Sequence, residues 1–153
     1  MSLIIATGSN QGQSLQLLAE AKTLLQSKLH LIAESRIYQS KAVEYENQPD
    51  FFNQALEFTL PASMNPQQVM NWLLQIEKDM GRRRDIPKGP RTIDLDIIFW
   101  GLNSYSENDL IIPHPRWSER SFVVKPLQEL PFFQTIEKCF IIPTSFTVDA
   151  TPL

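Results

Sequence analysis

The sequence KGPRTIDLDIIFWG, residues 88–101, places two acidic side chains inside a segment that otherwise has the composition of a buried β-strand. Successive side chains of an extended chain point to opposite faces, so Asp94 and Asp96 are predicted to share one face. The opposite face is predicted to be apolar and to carry Ile93, Leu95, Ile97 and Phe99. Because both faces become apolar towards Trp100, we expect an interior strand with the two carboxylates at its mouth.

The two carboxylates predict a divalent metal site. At a separation of about 6 Å they repel each other by roughly 3 kcal/mol at an effective dielectric of about 20, and a divalent cation removes that cost. No Cys or His lies close to them in sequence, which favours Mg²⁺ or Mn²⁺ over zinc. The alternative interpretation is that Asp94 and Asp96 form the exposed polar face of an edge strand.

Positive charge collects just before this strand, although the formal net charge of the chain is −3. The basic residues concerned are Arg82, Arg83, Arg84, Lys88 and Arg91. Cations beside a metal site suit a polyphosphate, because Mg²⁺ bridges phosphate oxygens and arginines neutralise charge during transfer. An Arg-rich loop after a helix is, taken alone, more often a solvated surface. Its proximity to the acidic pair favours phosphate binding here.

The composition predicts one globular domain over residues 1–153. No segment approaches the roughly 18 apolar residues that a membrane span needs, and the N-terminal residues lack the pattern of a signal peptide. We therefore expect a cytoplasmic monomer without a membrane partner. The negative net charge argues against nucleic acid as a partner, and the single Cys139 receives no role.

The periodicity of apolar residues predicts an α+β fold. The predicted elements are a strand at 3–7, a helix capped by Ser14, strands at 31–38 and 51–60, a helix from Asn65 and Pro66 to Gly81, and the acidic strand. This order is that of a ferredoxin-like βαββαβ sandwich, an antiparallel sheet with helices packed on it. Residues 39–50 are predicted to be loop. Later residues predict a short strand at 111–113, a short helix capped by Ser118 and an edge strand at 140–142.

Three further side chains are candidates for chemistry. His114 lies between two prolines, which restrict its backbone and preorganise its imidazole, although a lone histidine is more often structural. Asn53 follows Phe51 and Phe52, and an amide beside aromatic rings can bind the edge of a planar heterocycle. A hydrogen bond from Asn53 to neighbouring backbone is the alternative. Glu77 on the second predicted helix is either a site residue or an exposed acid.

Residues 89–98, GPRTIDLDII, closely resemble the signature of the 6-hydroxymethyl-7,8-dihydropterin pyrophosphokinase family. Residues 6–10 resemble the first strand and turn of the family, residues 47–53 its pterin loop and strand, and residues 113–127 its third block. The resemblance covers most of residues 3–130. It implies a ferredoxin-like fold, in agreement with the predicted order of elements.

The resemblance implies transfer of pyrophosphate from ATP to the hydroxymethyl oxygen of the dihydropterin, with release of AMP, in folate biosynthesis. It implies that Asp94 and Asp96 hold two Mg²⁺ ions and that Arg82 and Arg91 contact phosphates in catalysis. The residues implied at the ATP site are Glu77, Arg84, Ile98, His114 and Arg120. The residues implied at the pterin site are Ser40, Val43, Phe51, Asn53 and Phe122, with the rings of Phe51 and Phe122 on either side of the pterin.

Some positions depart from the family pattern. Lys88 stands where some members have tryptophan, Asp109 occupies a position that is often basic, and residues 40–44 replace a loop richer in proline and glycine. We therefore expect activity with altered affinity or speed. Two other functions stay open: a different Mg²⁺-dependent phosphoryl or nucleotidyl transferase on the same fold, and a noncatalytic nucleotide- or pterin-binding paralogue. A nucleic-acid-binding module is disfavoured because aromatic residues are not interleaved with the basic run.

Overall fold

The structure, a computed structural model of the chain, describes residues 1–42, 48–81 and 92–153. It has a mixed α+β architecture in which helices pack against an antiparallel sheet. In chain order the elements are β1 (Ser2–Ser9), α1 (Ser14–Leu25), β2 (Leu31–Glu34), β3 (Tyr38–Ser40), β4 (Phe51–Thr59), α2 (Pro66–Asp79), β5 (Asp94–Trp100), β6 (Tyr105–Glu107), β7 (Leu110–Ile112), a 3₁₀ helix (Trp117–Glu119), α3 (Ser121–Leu127), α4 (Phe133–Glu137) and β8 (Thr151–Pro152).

The main sheet has the strand order β5-β1-β4-β3-β8, and β2 also pairs with β4. β6 and β7 form a separate hairpin. In the described part of the chain β5 therefore lies at one end of the sheet, and the prediction of an interior strand is wrong. Its apolar residues are covered by α2 and the segment around β7 instead of a second neighbouring strand of the main sheet. Two backbone bonds hold these parts to β5: Leu95 N donates to Glu77 Oε2 on α2 (2.7 Å), and Ile98 O accepts from His114 N (3.0 Å).

A β-bulge divides β5 into two parts. Ile97 pairs with Ile5 of β1 whereas Phe99 pairs with Ile4, so Ile98 is an extra residue in the ladder. The extra residue reverses the alternation of side chains beyond it. The predicted apolar face is therefore confirmed as far as Ile97, but Phe99 packs on the opposite side of the sheet together with Ile98.

Two apolar clusters enclose the sheet. The first lies between the sheet and helices α1 and α2, and its members include Leu18, Phe58, Leu73 and Leu95. The second lies between the opposite face and helices α3 and α4, and its members include Ile4, Phe99, Val124 and Phe133. Within the described ranges, none of the helices combines the length and apolar character needed to cross a bilayer.

The ends of α2 follow the sequence prediction. Asn65 Oδ1 accepts from Gln68 N (2.8 Å) and Gln68 Oε1 accepts from Asn65 N (2.9 Å), a reciprocal cap, and Gly81 follows the helix with a φ of 90°. The predicted cap of α1 is wrong. Ser14 is the first helical residue, and its hydroxyl accepts a hydrogen bond from Ser9 Oγ (2.9 Å) instead of capping the helix.

The strand predicted at residues 31–38 is divided into β2 and β3. Ser35 lies at the break, where its backbone N donates to Ala55 O (3.0 Å) and its Oγ accepts from Ala55 N (3.0 Å). This side-chain bond replaces a regular ladder bond at that point. β3 then continues to Ser40, one of the residues predicted to be loop.

The short strand predicted at 111–113 is confirmed as β7, but two other predictions for the later residues are wrong. Ser118 lies inside the 3₁₀ helix instead of capping a helix. No strand is present at residues 140–142. Phe140 packs its ring against the rings of Phe99 (centroids 5.7 Å apart) and Trp117 (5.6 Å), so its apolar character serves the second cluster.

Glu129, just after α3, joins this side of the molecule to β3. Its carboxylate accepts from Arg36 N (2.8 Å), from Arg36 Nε (3.0 Å) and from the Tyr38 hydroxyl. Burial alone raises the pKa of Glu129, but these donors outweigh burial and hold the pKa below its ordinary value. The ionised carboxylate thus stabilises the contact between the α3 region and β3.

We predict that Glu129→Gln lowers the free energy of unfolding by about 1–3 kcal/mol at pH 7, because it removes a charged acceptor of several hydrogen bonds. A carboxylate whose pKa is lowered by folding contributes stability above its unfolded pKa of about 4.3 and loses it as the pH falls through the folded pKa. The difference between the two proteins should therefore shrink towards pH 3 in urea unfolding. The exposed Glu137 provides the control substitution Glu137→Gln, and a difference for Glu129→Gln that does not depend on pH would contradict the prediction.

Candidate active site

Gly8 of β1 occupies the centre of a row of three residues across the sheet. It pairs with Asn53 of β4 on one side and with Asp94 of β5 on the other. Directly paired residues point their side chains to the same face, so the amide and the carboxylate flank the glycine. A Cβ at Gly8 would lie 2.5 Å from Asn53 Nδ2. Only glycine leaves the amide in this position.

The next row on this face is also free of large side chains. Ala6 pairs with Ala55 on β4 and with Asp96 on β5. Asp96 therefore lies on the same face as Asp94, as the alternation predicts. Between the Asn53 amide and the two carboxylates the sheet carries only glycine and alanine, and at the alanine row Ala55 (3% exposed) and Ala6 pack into the second apolar cluster.

The Asn53 side chain has an unsatisfied acceptor. Its Nδ2 lies within hydrogen-bonding distance of Thr7 O (3.4 Å), while Oδ1 is buried and has no hydrogen-bond partner among the residues that the structure describes. A buried acceptor without a donor costs about 1–3 kcal/mol, so a ligand N–H group at this point would recover free energy. The alternative interpretation of Asn53 was a hydrogen bond to neighbouring backbone. The contact with Thr7 O fits that interpretation for the amide nitrogen but does not involve the amide oxygen.

A cleft of about 590 Å³ runs between α2, β5 and the segment around β7. The polar residues that line it include Glu77, Asp94, Asp96, His114 and Arg120. Leu74 and Met70 lie roughly one and two turns before Glu77 on α2, so the lining becomes apolar up to about 10 Å away from Glu77. One cleft thus offers carboxylates and cationic groups together with an apolar region.

Glu77 is a buried residue, with 2% of its surface exposed. Its Oε2 accepts from Leu95 N (2.7 Å), the residue between the two aspartates. This bond fixes the end of α2 against β5 and holds the strand that presents Asp94 and Asp96. Glu77 is therefore not the exposed helical acid that the sequence left open.

His114 lines the same cleft and follows a cis peptide bond between Ile112 and Pro113. Its Nδ1 accepts from Arg116 N (3.2 Å), so a proton on the neutral ring belongs to Nε2. Burial, together with the charges of Arg120 and Arg116, lowers the pKa of His114 against an opposing effect of Asp94. At neutral pH the ring is a neutral donor through Nε2.

The aromatic residues predicted for ligand stacking lie on separate elements. Phe51 begins β4 and pairs with Ser40, the last residue of β3. Phe122 is the second residue of α3 and packs against the second apolar cluster. The guanidinium of Arg120 lies 5.7 Å from the centre of the Phe122 ring, which brings a residue of the cleft next to a candidate stacking residue.

The remaining predicted residues divide into two groups. The first lies outside the described residues: Val43, Arg82, Arg83, Arg84, Lys88 and Arg91. The second is Ile98, whose side chain is buried in the second apolar cluster while Ile97 lines the cleft. Asp109, at a position that is often basic in the family, also lines the cleft and has a φ of 66° in the turn between β6 and β7.

Sequence reasoning missed the small-residue surface at Ala6, Gly8 and Ala55, and the apolar lining at Met70 and Leu74. The first becomes visible only when the register of β1 with its two neighbours is known. Leu74 and Met70 lie one and two turns from Glu77, so their helical spacing was an available signal. That spacing does not reveal that they border a cleft.

Asp94 and Asp96 fit an oxygen-preferring divalent ion. Within residues 1–42, 48–81 and 92–153, no three or more His, Cys, Asp or Glu side chains are grouped as a complete metal site. Mg²⁺ commonly takes only one or two carboxylates and completes its coordination with water and substrate phosphates. Two carboxylates beside an open cleft therefore match a magnesium ion that is bound together with a polyphosphate.

Comparison with known proteins finds one family that covers most of the chain. The family model described as 7,8-dihydro-6-hydroxymethylpterin-pyrophosphokinase matches residues 4–131. The 2-amino-4-hydroxy-6-hydroxymethyldihydropteridine pyrophosphokinase of Bacillus subtilis is 40% identical over 136 residues, which are 88% of this chain and 79% of that protein.

Two longer relatives match the chain with one part of their length. The folic acid synthesis protein of Pneumocystis carinii is 39% identical over 130 residues, 84% of this chain and 17% of that protein. The mitochondrial folate synthesis bifunctional protein of Arabidopsis thaliana is 39% identical over 129 residues, 84% of this chain and 23% of that protein. The chain therefore belongs to the 7,8-dihydro-6-hydroxymethylpterin-pyrophosphokinase family.

Proposed function

We propose that the protein transfers the pyrophosphoryl group of ATP to the hydroxymethyl oxygen of 6-hydroxymethyl-7,8-dihydropterin, giving AMP and the pterin diphosphate, in folate biosynthesis. The name of the Bacillus subtilis relative and the family match support this activity. The observation that carries the proposal is the row formed by Asn53, Gly8 and Asp94. It supports the proposal because the Asn53 amide, a possible acceptor for a heterocycle, lies two strands from the Asp94 carboxylate, a distance of about 10 Å across the sheet.

The pterin is assigned to the small-residue surface on β1 and β4. The unsatisfied Oδ1 of Asn53 accepts an N–H from the edge of the heterocycle, and the missing side chain at Gly8 lets the ring approach the sheet. Phe51 and Phe122 stack on its two faces, and Ser40 and Val43 contribute further contacts. With its edge on Asn53, the ring directs its hydroxymethyl arm towards β5.

ATP is assigned to the cleft beside β5. The base suits the apolar part near Met70 and Leu74, and the triphosphate suits the part near Arg120 and His114, whose Nε2–H is a donor at neutral pH. Glu77 supports this part through its bond to β5. The family resemblance assigns Arg82, Arg84 and Arg91 to the phosphates and Ile98 to the nucleotide.

Asp94 and Asp96 would hold two Mg²⁺ ions. When bound, these ions neutralise phosphate charge and fix the direction of the phosphate oxygens. The two carboxylates share one face because of the alternation along β5, and Glu77 holds the strand in place from its edge.

The reaction is an in-line displacement. The hydroxymethyl oxygen bonds to the β-phosphorus of ATP and loses its proton, which is released to the solution, while the bond from that phosphorus to the α,β-bridging oxygen breaks and AMP leaves with that oxygen. The residues of the chain bind the two substrates on adjoining surfaces and exclude water between them. Catalysis of this kind depends on positioning and on stabilisation of charge more than on covalent participation of the protein.

We also propose that the fold is ferredoxin-like and that residues 1–153 form a single domain. The order β1, α1, β2 with β3, β4, α2, β5 supports the first proposal if β2 and β3 are counted as one interrupted strand. The expectations of a monomer and of a cytoplasmic location stay predictions.

The first test is product analysis after incubation with ATP, Mg²⁺ and 6-hydroxymethyl-7,8-dihydropterin. We expect AMP and the pterin diphosphate in equal amounts, and neither product in controls without the pterin or with excess chelator. ADP or free pyrophosphate as the product would indicate a different transferase. Saturable binding of both substrates without turnover would indicate a noncatalytic paralogue.

Replacement of Asp94 or Asp96 by Ala is expected to lower kcat on the order of 10³-fold, because each carboxylate would bind the Mg²⁺ that neutralises the charge of the triphosphate. The exposed Asp79 on α2 provides the control substitution Asp79→Ala, for which we expect kcat to be unchanged. Steady-state rates over a range of Mg²⁺ concentrations provide the measurement. Near-normal turnover of the Asp94 or Asp96 variant would exclude the metal assignment.

Gly8→Ala is expected to weaken pterin binding about tenfold or more, since the new Cβ forces the Asn53 amide away from its ligand position. Isothermal titration with pterin and with ATP should show the loss for the pterin alone. The matched experiment introduces Gly8→Ala into an Asn53→Ala background. In that background the new Cβ at position 8 has no amide to displace, so Gly8→Ala should cause little further loss of pterin affinity. Fully additive effects would contradict the proposed contact.

A further inference from the structure

Residues 148–153, here called the C-terminal strap, run from α3 to the edge of the main sheet. β8 within the strap pairs antiparallel with β3, with Thr151 opposite Gln39 and Pro152 opposite Tyr38. Leu153 N donates to Ile37 O (3.0 Å), and Ala150 is completely buried. The family match ends at residue 131, so the strap is a part of the chain to which that match assigns nothing.

The other attachment of the strap is on α3. Ser121 Oγ donates to Val148 O (2.5 Å), and Lys125 Nζ contacts both Asp149 Oδ1 (2.5 Å) and Ala150 O (2.9 Å). Ser121 is 1% exposed, so its hydrogen bond is protected from water. The hydrogen bond from Lys125 lowers the pKa of the exposed Asp149.

Both attachment points adjoin residues of the proposed pterin site. Ser121 is the residue between Arg120 and Phe122, at the start of α3. Gln39 immediately precedes Ser40, which pairs with Phe51. The strap therefore links the element that carries one candidate stacking ring to the strand beside the other. Glu129, with its bonds to Arg36 and Tyr38, makes a second link between the same two regions.

We propose that Ser121 and the strap are positioning elements of the pterin site, which set the separation of Phe122 from Phe51. This inference rests on the proposed function, because it takes the two rings to enclose the pterin. A ligand between two rings contacts both only at one spacing, and a misplacement of about 1 Å can cost as much as 100-fold in activity. α3 and β3 are far apart in sequence, so tertiary contacts fix that spacing, and the strap adds its bonds to the direct packing of α3 on β3 and β4.

The ATP cleft is held mainly by other contacts. It is lined by residues of α2, β5 and the segment around β7, and Glu77 and His114 fix these parts to one another. Arg120 is shared between the two sites, but its carbonyl also accepts from Val123 N (3.0 Å) and Val124 N (2.9 Å). Loss of the strap should therefore affect the pterin more than ATP.

The experiment compares the full chain, a truncation that removes residues 148–153, Ser121→Ala, and the control Ser118→Ala in the neighbouring 3₁₀ helix. Circular dichroism first establishes that each protein is folded at the assay temperature. We expect the KM for the pterin to rise about tenfold in the truncation and about threefold to fivefold in Ser121→Ala. The dissociation constant for ATP and kcat at saturating pterin should each change by less than about twofold. Ser118→Ala should match the full chain.

An unchanged KM for the pterin in Ser121→Ala and in a folded truncation would overturn the proposal. Equal losses of pterin and ATP affinity would also overturn it, because they would indicate general loosening of the fold. If the truncation does not fold, Ser121→Ala decides the question. Failure of the full chain to bind the pterin at all would overturn the proposed function, and the role of the strap with it.

Discussion

The close packing of β1 between β4 and β5 is the constraint on which the rest of the structure depends. Gly8 has the Asn53 amide and the Asp94 carboxylate on its two sides, and one row further along Ala6 has Ala55 and the Asp96 carboxylate on its two sides. A larger residue at either position would occupy the surface that these groups border. The fully buried apolar residues of β1, such as Ile4 and Ile5, hold the strand between the two clusters, so the geometry of the site follows from the core.

Three glutamates attach helices and loops to this sheet in the same way: the carboxylate of each accepts a hydrogen bond from a backbone N–H group. Glu77 accepts from the backbone N of Leu95, Glu57 from that of Phe132 (3.0 Å), and Glu129 from that of Arg36. Each bond connects residues distant in sequence and satisfies a backbone donor that the regular ladder leaves open. The acids of the fold thus have two roles. The glutamates hold its parts together, while Asp94 and Asp96 border the cleft.

Local patterns predicted the features that depend on neighbouring residues. The cap of α2 at Asn65, the glycine after that helix and the shared face of Asp94 and Asp96 follow from spacing within a few residues. The features that were missed depend on distant partners. The break at Ser35 requires Ala55 of β4, the edge position of β5 requires the sheet order, and β8 requires β3. None of these partners can be identified from periodicity, because pairing between strands is set by tertiary packing.

The bulge at Ile98 has a consequence for how the chain can change by insertion or deletion. It shifts the phase of the strand by one residue, so that Phe99 joins the cluster under α3 and Trp100 joins the cluster under α1 and α2. Deletion of Ile98 would leave a regular ladder in which Phe99 still pairs with Ile4 and Trp100 with Leu3, so both rings would stay in their clusters and Asp94 and Asp96 would keep their shared face. The strand thus consists of a half that borders the cleft and a half that packs into the two clusters, and the bulge between them is the position where loss of one residue changes the face of neither half.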